Sequence, residues 1–175
     1  MIGRPAPTEA ATYFFRYIDQ VTGDDPVSYL EQQSAIALDR LSAISEADSL
    51  VRYAPGKWSV REVLNHVNDV ERVFAGRLLW FARGLGDPMP SFEENQAAAS
   101  IKSDAIPWPA HIEEFRHIRA ATLSLIHHLP QKAWDQQGIA SGNVCSVRAL
   151  AWIIAGHLTH HMKLIDERYL PNKGM

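Results

Sequence analysis

Apolar residues recur at three- and four-residue intervals along most of the chain, and no stretch alternates with polar ones long enough to predict a half-buried strand. The pattern predicts an all-α fold. A first short helix is expected from Thr8 to Val21, ended by Gly23, and Asp24-Asp25-Pro26 opens a longer one through Tyr29, Ile36, Leu38, Leu41 and Ile44. The next start is marked by the Pro55-Gly56 turn and the capping box Ser59-Val60-Arg61-Glu62; that helix should run to about Arg83, where Gly84 stops it. From Gly86 to Pro109 the chain carries four prolines among small and polar residues, a connection able to cross the end of a bundle, hold a short helix near Phe92 to Ala99 and act as a lid. A further helix is expected from Pro109 to Leu129, its inward stripe made by Ile112, Phe115, Ile118, Thr122, Ile126 and Leu129. After a loop from Gln136 to Cys145, the last helix should start near Ser146 and end near Tyr169, before Pro171. Four long helices in one bundle is the economical architecture.

Composition narrows the function. With 175 residues, 46% apolar and 21% charged, the chain is expected to be a single domain over 1–175 whose core needs no disulfide or structural metal. A metal, if bound, would serve function. The net charge of −3 and the scattering of 17 Lys and Arg residues argue against a nucleic-acid partner. No apolar run reaches the length of a membrane span and no signal peptide precedes the domain, so a cytoplasmic protein with no membrane partner is expected. The single cysteine, Cys145, excludes an internal disulfide and fits a reducing compartment.

Histidine is the unusual entry in this composition: there are eight, three of them within His157-Leu158-Thr159-His160-His161. On a helical wheel with His157 at zero, the apolar stripe is centred near +50°; His161 falls at roughly +40° and His160 at about −60°, at the stripe's edge. His157 and His161 are therefore the expected inward pair, one turn apart, a spacing with which two imidazoles grip one ion. His66 borders the apolar face of the Ser59 helix and can converge with them, although a lone histidine there also suits a hydrogen-bonded core role. His117, His127 and His128 fall off the inward stripe of their helix, whereas His111 lies on its inward side as a further ligand or supporting group. Trp58, Trp80 and Trp152 are expected to pack, without a place in the site.

Two segments, YAPGKWSVREVLNHV from Tyr53 to Val67 and VRALAWIIAGHLTHH from Val147 to His161, resemble the signature segments of the DinB-like (DinB/YfiT) superfamily. The similarity extends from about Tyr17 to Leu170 and includes Glu71-Arg72-Val73-Phe74 and Glu114-Phe115-Arg116. The resemblance implies a four-helix bundle, often a homodimer, with a three-histidine site for nickel, zinc or another divalent ion. Matched residue by residue, that site consists of His66, His157 and His161, the three that the wheels select independently. The resemblance also implies enzymes of small-molecule chemistry: thiol transferases, mycothiol-dependent isomerases and metal-dependent hydrolases.

Three readings of function follow. In the first, a transferase, the ion lowers the pKa of a low-molecular-weight thiol and presents it to an electrophile beneath the Gly86–Pro109 connection. Basic residues would hold the thiol cofactor's carboxylates, and Arg77 is a candidate, although it is expected to snorkel to the bundle's end. In the second, water takes the thiol's place in a hydrolase of small amides or esters, with Asp69 or Glu62 as acid or base by helical proximity, Glu62 being already explained as a cap. In the third, the bundle binds or responds to stress without turnover. Cys145, near the positive end of the last helix, is expected to be an ordinary small residue.

Overall fold

Local capping chemistry sets where the long helices begin. The computed structural model describes residues 2–171. Its four long helices are α2 (Pro26–Ser42), α3 (Val60–Ala82), α5 (Trp108–His127) and α6 (Val147–Leu164), with short α1 (Phe15–Ile18) ahead of them and short α4 (Glu94–Ser100) between α3 and α5. Pro26 opens α2 at its first turn while the Asp25 carboxylate accepts from the Val27 N–H. At α3 the capping box forms in both directions: Ser59 Oγ accepts from the Glu62 N–H and Glu62 Oε2 accepts from the Ser59 N–H. Ser146 Oγ caps α6 by accepting from the Ala149 N–H. The all-α bundle expected from periodicity is what the chain forms. No helix among the described residues is long and apolar enough to cross a membrane.

Two expectations are corrected. The loop before α6 contains a small antiparallel hairpin, β1 (Gln137–Ala140) and β2 (Asn143–Ser146), with Ala140 opposite Asn143 and Gln137 opposite Ser146. Ser141 and Gly142 turn it with φ of 52° and 75°. Four residues per strand are too few for alternation to register in a sequence window. Met89 of the long connection bonds to this hairpin, Met89 N–H to Ile139 O at 2.9 Å and Ser141 N–H to Met89 O at 3.1 Å, so the connection is tethered there. The second correction concerns the N-terminus, where the helix expected from Thr8 to Val21 is two 3₁₀ turns, Pro7–Glu9 and Thr12–Phe14, leading into the single turn of α1. Long-range bonds outcompete helix there. Buried Glu9 accepts from Ser146 Oγ (2.7 Å) and from Arg148 (2.8 Å), and Trp152 Nε1 donates to Gly3 O. The last helix likewise changes character, α6 passing into a π turn over Ile165–Tyr169.

The apolar interior divides into two clusters. One gathers Leu30, Phe74, Leu78, Trp152 and Ile153; the other gathers Leu41, Val60, Leu64, Phe115 and Leu158. Between them, at the middle of the bundle, every long helix contributes a polar side chain: Gln33 from α2, His66 and Glu71 from α3, Arg119 from α5, His157 and His161 from α6. Arg119 is fully buried and forks onto Glu71 through Nε and Nη2, both at 2.8 Å, while Nη1 donates to Gln33 Oε1 at 3.0 Å. This paired charge network satisfies half of the polar layer. The histidines form the other half.

Candidate metal centre

Three imidazoles converge from two helices. His157 Nε2 stands 3.2 Å from His66 Nε2 and 3.1 Å from His161 Nε2. One ligand atom from each ring can be chosen so that all lie within 4.8 Å of one another. All three side chains are buried. The i, i+4 spacing in α6 brings His157 and His161 onto one face, and the packing of α3 against α6 brings in His66 from 91 residues away. The wheel readings placed His157 and His161 inward and His66 at the border of its apolar face, and the structure brings all three together. Of the remaining histidines, His111 is wholly buried but turned away, its ring Nε2 against Ser103 O at 3.0 Å. His160 is half-buried and meets the Gln20 amide, and His117, His127 and His128 are exposed as expected.

Burial keeps the three rings neutral. Desolvation lowers His66 to about 4, and His157 and His161 are held well below 6.5 by desolvation and then by mutual repulsion among the rings. Neutral imidazole is the form that coordinates a metal. Nitrogen ligands about 2.0–2.1 Å from a shared ion lie roughly 3 Å apart, which the separations of His157 Nε2 from the other two rings match, the third pair lying within 4.8 Å. Converging nitrogen lone pairs in a dry pocket repel one another, and a cation between them converts repulsion into coordination. The donor set therefore fits a divalent ion, and three protein ligands leave further coordination positions open.

Neighbouring aromatic rings hold the histidines in place. Tyr17 meets His157 edge-on with centroids 5.2 Å apart, and the Trp58 ring lies 5.0 Å from that of His66. Trp58 thus belongs to the site as well as to the packing. Glu94 on α4 brings Oε2 to 3.9 Å from His66 Nε2. Its place in a short helix within a polar connection gave no periodic signal, which is why sequence reasoning missed it. Neither carboxylate named from sequence takes that position: Glu62 is committed to its cap and to Arg52, and Asp69 accepts from Asn65 Nδ2. Cys145 is buried in β2, and burial pushes its thiol up to about 12.

Two cavities open from the histidines. One, of about 290 Å³, runs from His157 past Phe14, Val70 and Phe74 to Arg77; the other, of about 280 Å³, lies by His161 between Lys57, Trp58 and Tyr169. Asn95 of α4 borders both. Arg77, expected at the solvent-facing end of the bundle, is instead buried in the wall of the first.

The sequence profile of the DinB superfamily matches residues 29–165, which include α2 from Tyr29 onward and all three histidines. The chain belongs to the DinB superfamily. No curated protein matches it in sequence. Among solved structures, this DinB-superfamily chain is similar to YfiT from Bacillus subtilis, described as a probable metal-dependent hydrolase with an unusual four-helix bundle topology. Identity is 15%, the TM-score is 0.69, and the alignment covers 93% of this chain and 89% of YfiT. It is also similar to a mycothiol-dependent maleylpyruvate isomerase, at 13% identity and a TM-score of 0.68, covering 83% of this chain and 61% of the isomerase. At these identities the likeness is one of fold.

Proposed function

We propose that this DinB-superfamily protein is a divalent-metal-dependent transferase that acts with a low-molecular-weight thiol, its ion held by His66, His157 and His161. The observation that carries this reading is the pair of cavities beside the histidines, one lined by His157 and the other by His161. Hydrolysis needs room for one organic substrate and a water, whereas joining a thiol to an electrophile needs two organic subsites beside one reactive centre. Nickel or zinc suits three neutral nitrogen donors.

When bound, the ion supplies Lewis acidity, lowering the pKa of a thiol in its open position. The chain's own residues do the rest. Tyr17 and Trp58 fix the ring planes of His157 and His66, so that the Nε2 atoms stay aimed at a common point. Glu94 Oε2, half-exposed beside His66, accepts the proton that the thiol gives up. Asn95 of α4 lines both cavities. Glu94 beside an open position also suits a hydrolase, with water in place of the thiol, and dependence on added thiol separates the two.

The deciding experiment is metal content of protein purified without a histidine tag, for wild type, His66→Ala and His161→Ala. About one divalent ion per chain, lost in both variants, is expected. Metal absent from wild type, or retained in both variants, overturns the site. Turnover of a chlorinated aromatic electrophile is then measured with glutathione, bacillithiol and mycothiol. Thiol-dependent turnover supports the transferase, and ester or amide hydrolysis without thiol overturns it in favour of the hydrolase.

A further inference from the structure

Arg77 is 5% exposed, and no carboxylate lies within ion-pair distance of it among the described residues. Every other buried arginine has one: Arg61 pairs with Glu46 and Arg119 with Glu71. The Arg77 guanidinium has only neutral partners, donating through Nη2 to Pro90 O at 2.7 Å and to Ser141 Oγ at 3.0 Å. A buried charge without a counter-ion is costly, and a structural role alone would be served by an uncharged side chain. The thiol of Cys145, its neighbour in the low-dielectric interior, stays protonated and offers no negative charge.

The cavity in front of Arg77 is polarised along its length. Pro90, bonded to Arg77, and Glu94, beside His66, are four residues apart, so the segment between them forms one wall from the guanidinium to the histidines. Along α3 the same interval, His66 to Arg77, is about 16 Å. The Arg77 end is positive, the lining carboxylates Glu93 and Glu94 come from the far part of that segment, and the apolar walls include Phe14, Val70 and Phe74. Ser141 lines the cavity as well and holds φ at 52°, the one non-glycine residue with positive φ among those described. Its hydroxyl accepts from Arg77 and keeps its own proton to donate.

We propose that this cavity is a subsite for a small organic carboxylate with an apolar body, the carboxylate being held by Arg77 and Ser141 and the opposite end facing the histidines. This deepens the transferase reading, on which it rests, by naming the class of one substrate: an amphipathic carboxylic acid. Arg77 supplies the charge, Ser141 a second donor, and Glu94 disfavours the reversed orientation.

The test is calorimetric titration of metal-free wild-type protein at about pH 8, where the histidines are neutral, with the acids from benzoate to 4-phenylbutyrate and with the corresponding primary amides. The best acid is expected to bind about tenfold more tightly than its amide, the effect of one charge-assisted contact. Arg77→Met abolishes that preference, and Arg77→Lys retains part of it. Ser141→Gly, which suits the turn's positive φ and so preserves the fold, weakens the acid by about threefold and leaves the amide unchanged. Equal binding of acid and amide to wild type, binding of neither, or an acid preference that survives Arg77→Met overturns the proposal. Because the titration uses metal-free protein, failure of the metal site is read separately, from metal content.

Discussion

At Gly156 two physical effects predict opposite signs for one substitution. The residue lies inside α6, immediately before His157, where α1 crosses so closely that a Cβ would stand 2.1 Å from Tyr17 O and 2.4 Å from Tyr17 C. Helix propensity alone makes Gly156→Ala stabilising by about 1 kcal/mol. Packing reverses this. The obstructing atoms are backbone, so relief requires all of α1 to withdraw by about 1 Å, and overpacking against backbone falls at the upper end of the usual cost, roughly 2–3 kcal/mol. Withdrawal also strains the contact of Tyr17 with His157. The expected net result is a loss of about 1–2 kcal/mol, a fall in Tm of roughly 2–8 °C for a domain this size. Urea unfolding followed by circular dichroism, with the m-value checked for constancy, measures it directly. A variant as stable as wild type, or more stable, would refute the claim that α1 and α6 are held at that separation.

Other outcomes follow from the polar layer and the caps. Removing one partner of the buried pair, as in Glu71→Ala or Arg119→Ala, should cost about 3–5 kcal/mol of unfolding free energy measured by urea denaturation, while the double replacement Glu71→Leu with Arg119→Met should cost much less. Equal losses from single and double variants would contradict the pairing. Metal-free protein should weaken as pH falls from 6.5, where an unfolded histidine takes up its proton, towards about 4, where folded His66 does so. In that window the unfolded state binds more protons, so stability is complete above it and lost on descending through it, by about 3 kcal/mol for His66 alone. Urea midpoints that do not change between about pH 7.5 and about pH 5 would disprove it, and His66→Gln should flatten the dependence. Ser59→Ala should destabilise by about 1 kcal/mol through loss of the cap of α3, measured by thermal unfolding. Cys145 should resist alkylation in the folded protein and react fully once it is denatured.

The long helices were legible because their signals are local. Ser59, Glu62 and Pro26 act on their own turn, His157 and His161 declare their side by periodicity, and His66 borders its helix's apolar face and matches the family's motif. His66, His157 and His161 could therefore be selected without knowing how the helices meet. The missed features depend on partners distant in sequence. Glu9 is drawn out of a helix by Ser146 and Arg148, and Arg77 is kept from solvent by the Met89–Pro90 segment docked on the hairpin. Glu94, on the short α4, and Trp58, just before α3, join the site from segments too short or irregular to carry a readable period.

The N-terminal segment has a consequence for assembly. It is synthesised first, yet its anchors, Ser146, Arg148, Trp152 and Gly156, lie some 140 residues downstream. Until α6 has left the ribosome, the strand that will close over His157 has nothing to close upon. Loop closure over such a span is slow compared with helix formation, so the segment docks last, after the long helices have paired. During that interval the histidine cluster is open along the flank that Tyr17 later covers. An ion bound by those histidines would have a broad side entrance until the final docking step closes it.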